Sequence, residues 1–236
     1  MEVASLYREP PKETERAAAA LEFIDVFKIY RSGPAETVAL RGLDLRIEPG
    51  EFVAVLGPSG SGKSTFLHLA AGLDEPLAGE VRVFGRPLNR MDERELAEYR
   101  GRKIAIVFQQ DNLWTSLTAR ENVATALRLG GVRRVAETAT QALAAVGLAE
   151  RATHRPRALS GGEQQRAAIA AAVGRSSTLV LADEPTGELD IVNENRVIDD
   201  LRRLSAAGST VVTVTHSDRI ATQADRVIQL QDGRSV

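Results

Sequence analysis

The segment G-P-S-G-S-G-K-S-T, Gly57 to Thr65, constrains this chain more than any other. It fits G-x-x-x-x-G-K-[ST], follows the unbroken apolar run F-V-A-V-L and leads into helical spacing from Gly62 to Gly72. In a strand, glycine-rich turn and helix start of this kind, the turn (Gly57, Pro58, Ser59, Gly60, Ser61, Gly62) curls so that backbone N–H groups converge on phosphate oxygens. The helix N-terminus adds its partial positive charge. Lys63 is then placed to bridge β- and γ-phosphates, and the Ser64 hydroxyl to face Mg²⁺, with Thr65 closing the motif. A strand this apolar is covered on both faces, as in a parallel sheet.

The rest of the pattern agrees. L-E-F-I-D-V-F-K-I-Y and T-V-A-L-R-G-L-D-L-R-I alternate around the turn R-S-G-P and predict an antiparallel hairpin. G-E-V-R-V-F-G predicts a further strand, Glu93 to Arg102 a charged helix and K-I-A-I-V-F a buried strand. From about residue 112 to 174 the reading is helical almost throughout. Strands return in T-L-V-L-A-D, V-V-T-V-T and R-V-I-Q-L, with a helix between the first two. The fold class expected is α/β: a P-loop NTPase core with a mostly parallel sheet, an antiparallel β subdomain and an inserted α-helical subdomain. Residues 1–20 lack sustained periodicity and are expected to be a mobile N-terminal extension, with one domain over 21–236.

Composition narrows the function. Thirty basic against 32 acidic residues, for a net charge of -2, give no cationic field for a generic nucleic-acid binder. The longest stretch free of Asp, Glu, Lys and Arg, Leu204 to Ser217, is 14 residues, too short to span a bilayer. The acidic, proline-containing start is unlike a signal peptide, so export is not expected. There is no cysteine, which removes thiol and Cys–zinc chemistry.

The strand T-L-V-L-A delivers Asp183 and Glu184 at its C-terminal end, where ligands of open α/β sheets bind. Asp183 is placed to reach Mg²⁺, and Glu184 to polarise water for attack on a γ-phosphate. Taken singly, either acid reads as a solvated turn or a helix cap; the phosphate loop makes the catalytic reading the better one. Leu113, Trp114 and Leu117 read singly as core.

L-S-G-G-E-Q-Q-R, Leu159 to Arg166, resembles the signature motif of ABC ATPases. With F-Q-Q around Gln109, D-E-P-T-G-E-L-D from Asp183 to Asp190 and V-T-H ending at His216, the resemblance covers nearly the whole chain from Leu21. The wording is similar to the subfamily of macrolide-efflux, lipoprotein-release and cell-division ATPases. The resemblance implies ATP as substrate with Mg²⁺ held by Ser64, Gln109 and Asp183. It implies catalysis by Glu184, with His216 on the γ-phosphate and Gln109 and Lys63 assisting. Tyr30 would stack on adenine, with Val38 adding an apolar contact. Ser160, Gly161, Gly162 and Glu163 would form a second anion site on a partner subunit, closed head to tail, with Asp190 along the seam. Ala171, where relatives usually carry arginine, the G-R-S-S-T turn and Glu188 depart from the pattern, which puts seam packing and site coupling in question.

Without a membrane segment, an ATPase of this family implies a separate integral membrane permease. Membrane contact would run through that permease on the inner, cytoplasmic face, with no direct nucleic-acid contact. Leu113, Trp114 and Leu117 as a group resemble the groove that receives a cytoplasmic permease helix. The alternatives are a non-transport ABC ATPase acting on DNA or ribosomes, and a P-loop kinase, against which the signature octet argues.

Overall fold

The computed structural model describes residues 18–32 and 35–236. Among these, the elements in chain order are β1 (Leu21–Ser32), β2 (Ala35–Ile47), β3 (Phe52–Leu56), α1 (Lys63–Ala70), β4 (Ala78–Val83), β5 (Arg86–Pro87) and α2 (Glu93–Lys103). They continue with β6 (Ile104–Val107), α3 (Ala119–Leu129), α4 (Val135–Ala145), α5 (Gly161–Arg175), β7 (Leu179–Asp183), α6 (Ile191–Ala206), β8 (Thr210–Val214), α7 (Asp218–Gln223), β9 (Arg226–Gln231) and β10 (Arg234–Ser235). The elements predicted from periodicity are all present. Missing from the prediction are β5, β10 and α7, each too short to show a period.

Two sheets form. One is antiparallel, in the order β2-β1-β4-β5; the other runs β10-β9-β3-β8-β7-β6, parallel except for the β10–β9 pair. The alternation of Cβ directions along each parallel strand explains the continuous apolar runs. Val53 and Val55 of β3, Leu179 and Leu181 of β7, and Val212 and Val214 of β8 face a core shared with α1 and the antiparallel sheet. Phe52 and Ala54, Val180 and Ala182, and Val211 face the opposite core, filled by α3, α4, α5 and α6. Phe23 of β1 stacks on Phe66 of α1 with ring centroids 4.8 Å apart, which ties the antiparallel sheet to the helix that begins at Lys63.

Of the expected N-terminal extension, residues 1–17 lie outside the described residues, as does the second half of the R-S-G-P turn, residues 33–34. At its other end the expectation needs correction. Ala19 and Ala20 are buried, the Ala20 N–H donates to Ile47 O at 2.9 Å, and Ala20 O accepts from Phe84 N–H at 3.1 Å. Two small side chains fit beneath β2 and β4 where an alanine run gives no periodic signal.

Neighbouring strands place the motifs. In the order β3-β8-β7-β6 the C-terminal ends lie side by side. They carry, respectively, the glycine-rich loop, His216, the Asp183–Glu184 pair and Gln109. Segments far apart in the chain therefore meet at one sheet edge, as open parallel sheets direct.

Candidate functional site

A cleft of about 350 Å³ lies at that edge, lined by loop residues and by Gln109, Asp183, Glu184, His216 and Tyr30. The loop is held rigidly from both sides. A Cβ at Gly57 would come within 2.2 Å of Leu230 O and 2.6 Å of Ser61 Oγ, and one at Gly62, where φ is 103°, within 2.5 Å of Ala39 O. Only glycine fits either position. Lys63 is buried, and its ammonium donates to Gly57 O at 2.7 Å and Pro58 O at 3.1 Å. Burial lowers its pKa, while the charges of Glu184 and Asp183 act in the opposite direction. Ser64 is exposed at the cleft, whereas the Ser61 hydroxyl is buried without a partner.

Asp183 ends β7 half-buried, and burial together with the adjacent Glu184 charge raises its pKa against His68 and Lys63. Two carboxylates crowded at one strand end are stabilised by a hard cation. Among the described residues no group of three or more His, Cys, Asp or Glu could hold a metal. The donor set available is instead a hydroxyl (Ser64), an amide (Gln109) and a carboxylate (Asp183), which suits Mg²⁺ completed by phosphate oxygens and water. Glu184 has φ of 42°, the left-handed region that a residue of this kind rarely adopts. It is fixed there because its N–H donates to Val214 O at 2.9 Å and its Oε2 accepts the His216 N–H at 3.1 Å. Strain of this kind gathers at functional positions. His216 Nε2 lies 3.5 Å from Glu184 Oε1 and 3.2 Å from Lys63 Nζ, which joins the glutamate, the histidine and the lysine into one cluster.

Tyr30 lines the same cleft and is held from outside it. Its hydroxyl donates to Asp74 Oδ2 at 2.8 Å, Lys28 pairs with Asp74 at 2.6 Å, and the Lys28 ammonium lies 5.1 Å from the ring centroid. Although burial opposes it, hydrogen bonds from Lys28, Tyr30 and Glu75 keep Asp74 below the usual carboxylate range. Lys28 and Asp74 thus orient the ring, a role the sequence did not signal. Val38 is placed differently from the expectation: the cleft is lined by Thr37 and Ala39, its neighbours on β2, and not by Val38. A strand turns alternate residues to opposite faces, and Thr37 is the residue opposite Tyr30 in the register.

Ser160, Gly161, Gly162, Glu163 and Asp190 do not line the Lys63 cleft. Ser160 caps α5, with Glu163 N–H donating to its hydroxyl at 3.2 Å and its own N–H donating to Glu163 Oε2 at 2.8 Å. Asp190 caps α6 through the Asn193 N–H at 2.9 Å. Gly161 faces a second cleft of about 280 Å³, which also touches Gln109, Glu184 and Glu188. There Glu188 accepts from Gln110 Nε2 at 2.6 Å, so the departure at 188 links the segment after β7 to the one after β6.

Gln165 is a positioning residue for Gln109 that sequence reasoning missed. Buried on α5, it donates to Phe108 O at 2.9 Å and Gln109 O at 3.0 Å and accepts from Asn112 Nδ2 at 2.7 Å. It fixes the backbone that carries Gln109 to the helix that begins at the signature. Its position inside the octet was the available signal. Gln165→Leu is expected to remove the side-chain donor to Gln109 O, while Phe108 O keeps Asn112 Nδ2 at 2.6 Å, lowering stability by about 1 kcal/mol in thermal or urea melts. The same change should release Gln109 and slow about tenfold the ATP turnover that the signature resemblance implies.

Trp114 and Leu129 are among the exposed large apolar side chains, at 55% and 71% accessibility. Both border a groove with Leu113 on one side and Ala168 and Ala171 on the other. Leu117 does not line it. Asn122, buried on α3, shapes this rim by accepting from the Trp114 N–H at 2.8 Å and donating to Trp114 O and Leu117 O. Ala171 therefore sits in this groove, where a small residue leaves room.

The family described as ABC transporter matches residues 40–187. The lipoprotein-releasing system ATP-binding protein LolD of Geobacter metallireducens is 44% identical over 222 residues, which is 93% of this chain and 99% of that protein. The macrolide export ATP-binding/permease protein MacB of Azoarcus sp. is 43% identical over 92% of this chain, which spans 33% of MacB's length. Among solved structures, the dimeric post-hydrolysis state of the ATP-binding cassette MJ0796, bound to ADP and Pi, matches with a TM-score of 0.84. It is 39% identical and covers 91% of this chain and 96% of its own.

Proposed function

This chain belongs to the ABC transporter family, and from that premise we propose that it is the subunit that binds and hydrolyses ATP to power a separate membrane permease through closure of a dimer. The observation that carries the reading is the convergence of Lys63, Ser64, Gln109, Asp183, Glu184 and His216 on one cleft from four adjacent strand ends.

The roles follow from the geometry. Loop N–H groups and the Lys63 ammonium take the phosphates, and Tyr30 offers its ring to the base. Ser64, Gln109 and Asp183 would hold Mg²⁺, which would supply positive charge against the phosphates. Glu184 accepts the proton of the attacking water, and its strained backbone fixes the carboxylate. His216, anchored through its N–H to Glu184, contacts the γ-phosphate. Ser160, Gly161 and Gly162, which stand away from this cleft in their own chain, complete the site of a second copy, with Asp190 along the seam. A head-to-tail pair shares two such sites.

The Trp114 groove takes the permease. No helix among the described residues is long and apolar enough to cross a membrane, so the proposed place of work is the inner face of the cell membrane, reached through that partner. The relatives named for lipoprotein release and macrolide export point to export or extraction as the driven process.

Mixing two inactive chains tests the shared site. A Lys63→Ala chain and a Ser160→Arg chain are each expected to be inactive alone. A mixed dimer contains one site with both residues intact, so ATP hydrolysis should return on mixing. If the mixture remains as inactive as its parts, the shared-site reading is wrong.

A further inference from the structure

The turn that presents His216 is fastened on both sides of it. Thr215 N–H donates to Val55 O at 3.1 Å, and Ser217 N–H donates to Thr215 Oγ1 at 2.9 Å. The N–H of His216 itself rests on Glu184 Oε2 at 3.1 Å. That bond weakens once Glu184 takes a proton, since a neutral carboxyl accepts roughly half as strongly as a carboxylate. Holding the histidine through the step then falls to an anchor outside the reacting groups.

The first turn of α6 supplies one. Glu194 Oε1 accepts from the Ser217 hydroxyl at 2.7 Å, a short, charge-assisted bond, and from Thr186 Oγ1 at 3.5 Å. Its Oε2 lies 3.7 Å from Arg219 Nε, and the side chain is 14% exposed. Thr186 is buried two residues beyond Glu184, and Ser217 directly follows His216. Glu194 therefore joins the segment that carries Glu184 to the one that carries His216, without lining the cleft itself. Its N–H donates to Asp190 O at 2.8 Å, one turn from the residue assigned to the dimer seam. An acidic residue in the first turn of a helix is favoured by the macrodipole even when it faces water. This one faces inward, onto two hydroxyls and a guanidinium, which the macrodipole does not require.

On the reading of the cleft as the ATP site, we propose that Glu194 is a positioning residue for His216. Through Ser217 it holds the imidazole toward the γ-phosphate, and through the first turn of α6 it ties that hold to Asp190.

ATP turnover by the full chain and the ring spectrum of His216 test this together. Glu194→Ala removes both acceptor oxygens and is expected to lower kcat about tenfold with KM for ATP within about twofold, the pattern of a group displaced in the transition state and not in binding. Glu194→Gln keeps an oxygen for the Ser217 hydroxyl and should bring kcat back to within about threefold of the unaltered chain. Ser217→Ala cuts the same contact from the other side, so adding it to Glu194→Ala should reduce kcat no further. The chain has three histidines, His68, His154 and His216, and His216→Ala identifies the His216 ring signal in an NMR spectrum of histidine-labelled protein. A non-hydrolysable ATP analogue with Mg²⁺ should shift that signal in the unaltered chain and in Glu194→Gln, and leave it nearly unmoved in Glu194→Ala at saturation. Turnover lost in His216→Ala, with kcat and ring shift both unchanged in Glu194→Ala, overturns the proposal and leaves the ATP reading standing. Full turnover in His216→Ala overturns the role given to that histidine, and the proposal with it.

Discussion

Glu184→Gln is expected to bind ATP with affinity near that of the unaltered chain and to hydrolyse it about 100- to 10,000-fold more slowly, the range a general base contributes. The substitution isolates basicity from shape. Glutamine has the same length, keeps an oxygen to accept the His216 N–H now held at 3.1 Å, and leaves the Glu184 N–H free to donate to Val214 O. Only the capacity to take a proton from water is lost. If closure follows ATP binding and reopening follows hydrolysis, the variant should accumulate as a stable dimer with ATP and Mg²⁺, visible by size exclusion with light scattering. Turnover equal to that of the unaltered chain would show that another group removes the proton. Turnover lost together with ATP binding would show that Glu184 shapes the cleft and does not act as the base.

The parallel core was legible because its strands are apolar on both faces, and Gly57 to Thr65 was legible because its chemistry demands a local pattern. What escaped the sequence depends on register and on distant partners. Tyr30 does line the cleft, but Thr37 and Ala39 line it where Val38 was expected. Register shifts between Phe23 and Val26, Val26 and Phe27, and Lys28 and Ile29 break the simple count of alternate residues along this hairpin, so facing cannot be read from spacing. Lys28 and Asp74, which belong to none of the motifs, orient Tyr30 from different elements. Gln165 and Asn122 are ordinary helix residues until folding brings open backbone carbonyls to them.

Lys63→Ala is expected to weaken ATP binding about 100-fold, the scale of a charge-assisted contact to phosphate lost from a partly buried site, and Lys63→Arg is expected not to restore it. The loop sets this outcome. Lys63 is 8% exposed, with its ammonium against Gly57 O and Pro58 O. The walls cannot retreat, since Gly57 already lies against Leu230 and Ser61, and Gly62 against Ala39. A compact ammonium fits this space, while a planar guanidinium with a fixed fork of donors does not. Lys63→Ala should remain folded, because burial disfavours the charge that it removes. Thermal melts should therefore shift by no more than a few degrees, about 1 kcal/mol for a chain of this size, while titration with ATP shows the loss. ATP binding by Lys63→Arg at the level of the unaltered chain would mean that the loop yields, and that rigidity at Gly57 and Gly62 is not what selects lysine here.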